Sequence, residues 1–264
     1  MAHVICNDVS FAYPGSDRLV LGGVNMDVPE GEFVCILGQS GCGKSTFLRL
    51  LAGLEEVTSG ELLLDGQRVS GAGLDRGVVF QDYGLFPWMT AGKNILLGLQ
   101  QKNPKGDKAA LKKRVIELLN IVGLDGSVYN LFPKELSGGM KQRCAIARML
   151  GIDPPVFLMD EPFGALDAIT RAHLQDTLMG VWQLEEKKTA FFVTHDVDEA
   201  LLLATKIYVF GQSPAGVIYS CEVPRGERVT REGIFADADL LELRTELIRQ
   251  MNLDVTGHMQ AQAH

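Results

Sequence analysis

Gly38-Gln39-Ser40-Gly41-Cys42-Gly43-Lys44-Ser45-Thr46 decides the fold, because it fits the pattern G-x-x-x-x-G-K-[ST]. The residues before it, Glu32-Phe33-Val34-Cys35-Ile36-Leu37, are apolar after the first and form a short run, as in a buried parallel strand. The residues after it, Thr46-Phe47-Leu48-Arg49-Leu50-Leu51-Ala52, read as a helix that Gly53 ends. Gly38, Gly41 and Gly43 let the backbone turn tightly and approach an anion with no Cβ in the way. Backbone N–H groups at the helix start, with the positive end of its dipole, face such an anion. In this reading Lys44 reaches the β- and γ-phosphates of a nucleoside triphosphate, and the Ser45 hydroxyl ligates Mg²⁺. A glycine-rich turn with no ligand is the plainer alternative, and the strand and helix on either side weigh against it.

Further along, Val156-Phe157-Leu158-Met159-Asp160 again looks like a buried strand, one that carries a carboxylate to the edge where ligands of open α/β sheets sit. Asp160 is placed to hold Mg²⁺, and Glu161 is the candidate general base for an attacking water. The same acidic pair, followed by Pro162, could instead cap a helix. His195 ends the apolar run Thr189 to Thr194, and Asp196 after it is a good N-cap for a helical stretch through Ala204. A lone His at a strand end is usually structural, although this position lets it meet a γ-phosphate. Gln81 follows Gly77-Val78-Val79-Phe80 in the same way and can offer an amide oxygen to Mg²⁺ or water. Leu136-Ser137-Gly138-Gly139-Met140-Lys141-Gln142 predicts a second phosphate-binding nest, with a helix after Gly139. Two such nests far apart in one chain make chemical sense if two chains sandwich ATP.

In this order the motifs resemble the nucleotide-binding subunit of an ATP-binding-cassette (ABC) transporter, over roughly residues 3–220. In family terms Gly38 to Ser45 is the Walker A loop, Gln81 the Q-loop, Leu136 to Gln142 the signature and Val156 to Asp160 Walker B. Glu161 corresponds to the catalytic glutamate, Ala165-Leu166-Asp167 to the D-loop and His195 to the switch histidine. Met140 stands where Gln is commonest, and Gln39 where Pro is frequent. The resemblance implies an α/β fold: a P-loop NTPase core with a mainly parallel sheet, an antiparallel β subdomain and an inserted α-helical subdomain. The ATPase domain would span 1–220, with the helical part at about 82–150 and a short tail at 221–264 holding one helix.

The resemblance also implies the site. ATP is bound by Gly38, Gln39, Ser40, Gly41, Cys42, Gly43, Lys44, Ser45 and Thr46, with Tyr13 stacking on adenine; a strand-end Tyr packed on the core is the alternative for that residue. Ser137, Gly138 and Gly139 engage the γ-phosphate held by the opposite protomer. Ser45, Gln81 and Asp160 serve Mg²⁺, while Glu161, His195, Gln81 and Lys44 carry the catalysis. The segments Asp75 to Tyr83, Leu85-Phe86-Pro87-Trp88, Met159 to Ala168 and Thr194 to Ala200 are similar to the nitrate/sulfonate/taurine importer branch. That branch implies a homodimer in the ATP-bound state, a membrane permease, an extracytoplasmic solute-binding protein, and a cytoplasmic place on the inner face of the membrane. The competing class is a soluble ABC ATPase not coupled to transport, whose usual tandem cassettes, coiled-coil insertions and basic arms are not visible. A nucleotide kinase sharing only the phosphate loop is disfavoured by the signature and His195.

Composition agrees. The 264 residues are 46% hydrophobic, enough for one full core. A net charge of −8 argues against a nucleic-acid partner. Cys6, Cys35, Cys42, Cys144 and Cys221 are odd in number and scattered, which fits a reducing compartment. No apolar stretch has the length of a membrane span.

The first thirty residues predict short strands, with turns at Pro14-Gly15, Gly22-Gly23 and Pro29-Glu30-Gly31, and Leu62 to Gly66 another strand and turn. Leu111, Val115, Leu118, Leu119 and Val122 share one face of a helix capped by Asp107 and ended by Gly123. A last helix is expected from Asp239 to Met251, with the final dozen residues frayed. Tyr83, Leu85, Phe86, Trp88 and Met89 form an aromatic and apolar cluster, either a small core or a docking surface for a permease helix.

Overall fold

The computed structural model describes residues 2–184, 188–212, 214–224 and 229–261, with the side chains of 183–184 and 254–261 outside that description. The chain divides into two compact units, 1–72 with 188–264, and 73–187. In chain order the first unit opens with β1 (Val4–Ala12), β2 (Leu19–Val28), β3 (Phe33–Leu37), α1 (Lys44–Leu51), β4 (Ser59–Leu64) and β5 (Gln67–Arg68). The second holds β6 (Arg76–Val79), α2 (Ala91–Lys102), α3 (Lys108–Ile121), α4 (Gly138–Ile152), β7 (Val156–Asp160) and α5 (Ala168–Leu184). The chain then returns to the first with β8 (Thr189–Thr194), α6 (Val197–Leu203), β9 (Lys206–Phe210), β10 (Val217–Glu222), α7 (Gly233–Ala236) and α8 (Ala238–Ala261).

Within the first unit, β2-β1-β4-β5 make an antiparallel sheet. Alternation along β1 buries Val4, Cys6, Val9 and Phe11 on the core face. The predicted turn at Gly22-Gly23 is not a turn, since both residues lie inside β2. The β1–β2 register shifts between Cys6 and Val9, where Asp8 has φ 51° and Gly23 has φ 64°. A local irregularity absorbed by sheet pairing has replaced the chain reversal that two glycines suggest. Asp65 and Gly66, both with positive φ, make the tight reversal from β4 to β5.

The unit's other sheet places β3 between β8 and β9, parallel to both, with β10 antiparallel on β9. Every residue of β3 and β8 is buried, as expected for strands covered on both faces. α8 runs on past the expected Met251 to Ala261, with no proline to stop it, so the last dozen residues are helical rather than frayed as far as that point. The charged stretch after Pro224 falls at 225–228, outside the described residues.

In the second unit β6 and β7 pair in parallel, Gly77 opposite Phe157 and Val79 opposite Met159. Asp107 accepts a bond from Ala110 N at 2.8 Å and caps α3, and Leu111, Val115, Leu118, Leu119 and Val122 are buried. Gly123 ends the helix with φ 71°. α4 starts at Gly138 rather than after Gly139, because Ser137 itself is the N-cap and accepts from Met140 N at 3.3 Å. Among the described residues, no helix is long and apolar enough to cross a membrane.

Candidate functional site

The first unit holds the glycine-rich loop. The buried β3 ends at Leu37 and α1 begins at Lys44, so the intervening residues form a loop at a helix N-terminus. Gly43, the N-cap, has φ 109°, and Gly41 has φ 81°, both in the region that glycine tolerates best. A Cβ on Gly38 would meet the Phe210 carbonyl oxygen at 2.8 Å and Cys42 Sγ at 3.0 Å. The loop therefore lies too close to β9 to admit a side chain there. Lys44 is buried and curls back over the loop, its Nζ donating to the carbonyls of Gly38 at 2.8 Å and Gln39 at 2.7 Å. An ammonium carries three donors, so the same group that closes the loop retains capacity for an anion.

Ser40, Gly41 and Ser45 are exposed around this loop, Gln39 is half-buried, and Thr46 is buried at the first turn of α1. Thr46 Oγ1 lies 3.1 Å from Tyr13 Oη. Tyr13 is 40% exposed and meets Phe11 edge-on with 4.9 Å between ring centroids, so it borders the loop instead of filling the core. Cys42 is buried. His195 is exposed at the end of the buried β8. Asp196, next to it, caps α6 by accepting from Asp198 N at 2.9 Å and Glu199 N at 3.2 Å.

The second unit carries the other candidates. β7 is buried throughout and ends on Asp160, itself 8% exposed. Glu161 is half-buried with φ 45°, a conformation that costs a non-glycine residue on the order of 1–2 kcal/mol. The helix-cap alternative for this acidic pair fails. A turn over Glu161 to Leu166 follows instead, and the next helix, α5, starts at Ala168. Asp167 supplies the cap, accepting from Ile169 N at 3.1 Å and Thr170 N at 3.0 Å. The bonds from Thr170, and then from Ile169, hold its carboxyl below the usual range. Gln81 is exposed just after β6.

Within this unit the structure brings the Ser137–Gly139 segment beside the residues that follow Gln81 and Glu161. A Cβ on Gly138 would lie 3.0 Å from Tyr83 Oη, and one on Gly139 3.0 Å from Leu166 Cδ2. Two residues that sequence reasoning passed over shape this region. Arg148, on α4, donates to Gly84 O at 2.7 Å and reaches Tyr83 O at 3.4 Å; burial pulls its guanidinium below the usual range. Asn94, fully buried on α2, binds Phe86 N and the carbonyls of Phe86, Met89 and Thr90. Neither residue has a sequence signal, because both act on backbone carbonyls that any side chain would leave in place. Trp88, between those anchors, is 69% exposed and touches Phe86 at 5.4 Å between centroids.

Comparison with known proteins adds the family. Residues 21–164 match the ABC transporter family model. This chain is an ABC transporter family member. It is 42% identical over 93% of its length to the nitrate import ATP-binding protein NrtD of Synechococcus elongatus, covering 89% of that protein. It is 43% identical over 91% of its length to the bicarbonate transport ATP-binding protein CmpD of the same organism, covering 87% of it. A solved dimeric structure of the ATP-binding cassette MJ0796, in a post-hydrolysis state with ADP and Pi, matches with TM-score 0.76 and 33% identity. That match covers 84% of this chain and 99% of the cassette. The chain is accordingly an ATP-binding, ATP-hydrolysing cassette with a P-loop NTPase fold.

Proposed function

We propose that this cassette powers import of a small solute, of the nitrate, sulfonate or taurine type, through a separate membrane permease served by an extracytoplasmic solute-binding protein. The observation that carries the nucleotide half of this reading is the Gly38–Thr46 loop, glycine-tight against Phe210 and closed by the buried Lys44. Similarity to nitrate and bicarbonate ATP-binding proteins along nearly the whole chain supports the import half. The cassette would then work on the inner face of the membrane, docked on the permease.

The residues fit the nucleotide. Backbone N–H groups at the start of α1 and the Lys44 ammonium suit the β- and γ-phosphates, and Tyr13, beside Thr46 of that helix, would stack on adenine. Ser45, Gln81 and Asp160 offer a hydroxyl, an amide oxygen and a carboxylate, a hard oxygen set suited to Mg²⁺. When bound, Mg²⁺ would neutralise charge on the phosphate oxygens. Glu161 would take the proton of the attacking water, and His195 would contact the γ-phosphate. Ser137, Gly138 and Gly139, at the N-terminus of α4, would engage ATP held by a second copy in a head-to-tail homodimer. Binding would close the dimer and hydrolysis reopen it.

Glu161→Gln tests this directly. It removes the base and keeps the shape, so ATP should still bind, turnover should fall at least about a hundredfold, and an ATP-dependent dimer should accumulate on gel filtration. A variant that stays monomeric with ATP and turns over normally would refute the assignment.

A further inference from the structure

We propose that the C-terminal helix α8 braces the loop carrying His195, with Arg244 as the positioning residue. The proposal rests on the reading of His195 as a γ-phosphate contact. It assigns a task to the helical part of the tail.

His195 is flanked by a short, internally bonded segment. Thr194 Oγ1 donates to Glu199 Oε2 at 2.9 Å and accepts from Asp196 N at 3.0 Å, while Asp196 caps α6. His195 thus moves with the first turn of α6. That helix has only seven residues, too few to fix its own orientation, so its direction depends on what packs against it. Within the unit it packs on β3, β8, α7 and α8.

A polar tie from α8 to α6 is Arg244. Its Nε donates to Asp198 Oδ1 at 2.6 Å and its Nη2 reaches Asp198 Oδ2 at 3.4 Å, a two-point grip on the carboxylate three residues after His195. Phe235 of α7 lies 5.6 Å from the guanidinium, a cation–π contact that favours this pose. The tail is rooted independently of that ion pair: Leu240 and Leu247 of α8 and Ile234 of α7 are buried, and Asp237 caps α8 by accepting from Asp239 N and Leu240 N. A brace needs a fixed base and a directional contact at its working end, and both are present. The Asp198 bond also raises the pKa of the Arg244 guanidinium.

The pair is one-third to two-fifths exposed, so its effect should be modest. Arg244→Ala should lower kcat about two- to fivefold while KM for ATP and unfolding temperature stay near wild type. Arg244→Lys, which keeps the charge and loses the fork, should fall between the two. The decisive readout is a double-mutant cycle: on a His195→Ala background, Arg244→Ala should cause no further loss, because the residue it positions is gone. An equal fractional loss on that background, or wild-type kcat in Arg244→Ala beside an impaired His195→Ala, would overturn the brace alone. Wild-type turnover in His195→Ala would overturn the reading beneath it, and the brace with it. Should His195→Ala turn over too slowly for the cycle, the single variants decide: loss in both Arg244→Ala and Arg244→Lys in step with unfolding temperature refutes positioning.

Discussion

Replacing Gly38 by alanine adds one methyl group at the tightest point of the phosphate loop. The new Cβ would sit 2.8 Å from Phe210 O, 3.0 Å from Cys42 Sγ and 3.5 Å from Phe210 Cβ. The first contact cannot relax cheaply, because that oxygen belongs to the backbone at the end of β9, whose last four residues are buried. Overpacking of this kind costs about 1–3 kcal/mol. For a chain of this size that lowers the unfolding temperature by roughly 2–12 °C. The loop must also shift away from β9, taking with it the Gly38 and Gln39 carbonyls that hold Lys44. If the displaced ammonium loses about 1.4 kcal/mol of interaction with the phosphates, ATP affinity falls tenfold. Thermal unfolding without nucleotide and ATP titration measure the two effects separately. Adding Cys42→Ala should recover only part of the loss, since it relieves the sulfur contact and leaves the carbonyl. Gly41→Ala is the control: its Cβ would meet nothing within 4 Å, so only the φ 81° penalty of about 1–2 kcal/mol applies. A Gly38→Ala protein with wild-type unfolding temperature and wild-type ATP affinity would refute the reasoning.

Asp107→Ala removes the α3 cap and should cost about 1 kcal/mol of stability with ATP turnover unchanged; denaturant unfolding beside an ATPase assay checks both. Trp88→Ala deletes a ring that is 69% exposed, so it should cost at most about 1–2 kcal/mol and leave ATP affinity intact, yet weaken assembly with the permease. Normal assembly and solute-stimulated hydrolysis in that variant would return Trp88 to a packing role. Ser137→Arg should retain ATP binding and block dimer closure. Mixing it with Lys44→Ala, which loses nucleotide affinity, creates heterodimers with one intact composite site, and recovered turnover is the expected result. Full activity of Ser137→Arg alone would refute the head-to-tail arrangement.

The sequence alone determined the elements with strong local causes. β3 and β7 were legible as unbroken apolar runs, α3 from its cap, periodic face and closing glycine, and the loop between β3 and α1 from glycines whose spacing serves one task. Gln81, Asp160, Glu161 and His195 were expected for the same reason, because each stands at or just past the end of an apolar run, where a strand delivers it to an edge. Tertiary structure alone decided the rest. Gly22-Gly23 reads locally as a turn, and only the pairing of β1 with β2 keeps it within a strand. Trp88 reads in sequence as either core or surface, and which side of the 86–90 loop faces water depends on the bonds Asn94 makes from another element. Arg148 with the carbonyls of residues 83 and 84, and Arg244 with Asp198, join positions 64 or 65 and 46 residues apart in sequence. Local patterns arise from neighbours within a helical turn or a strand pleat; these contacts arise from chain closure over long loops, which no local pattern encodes.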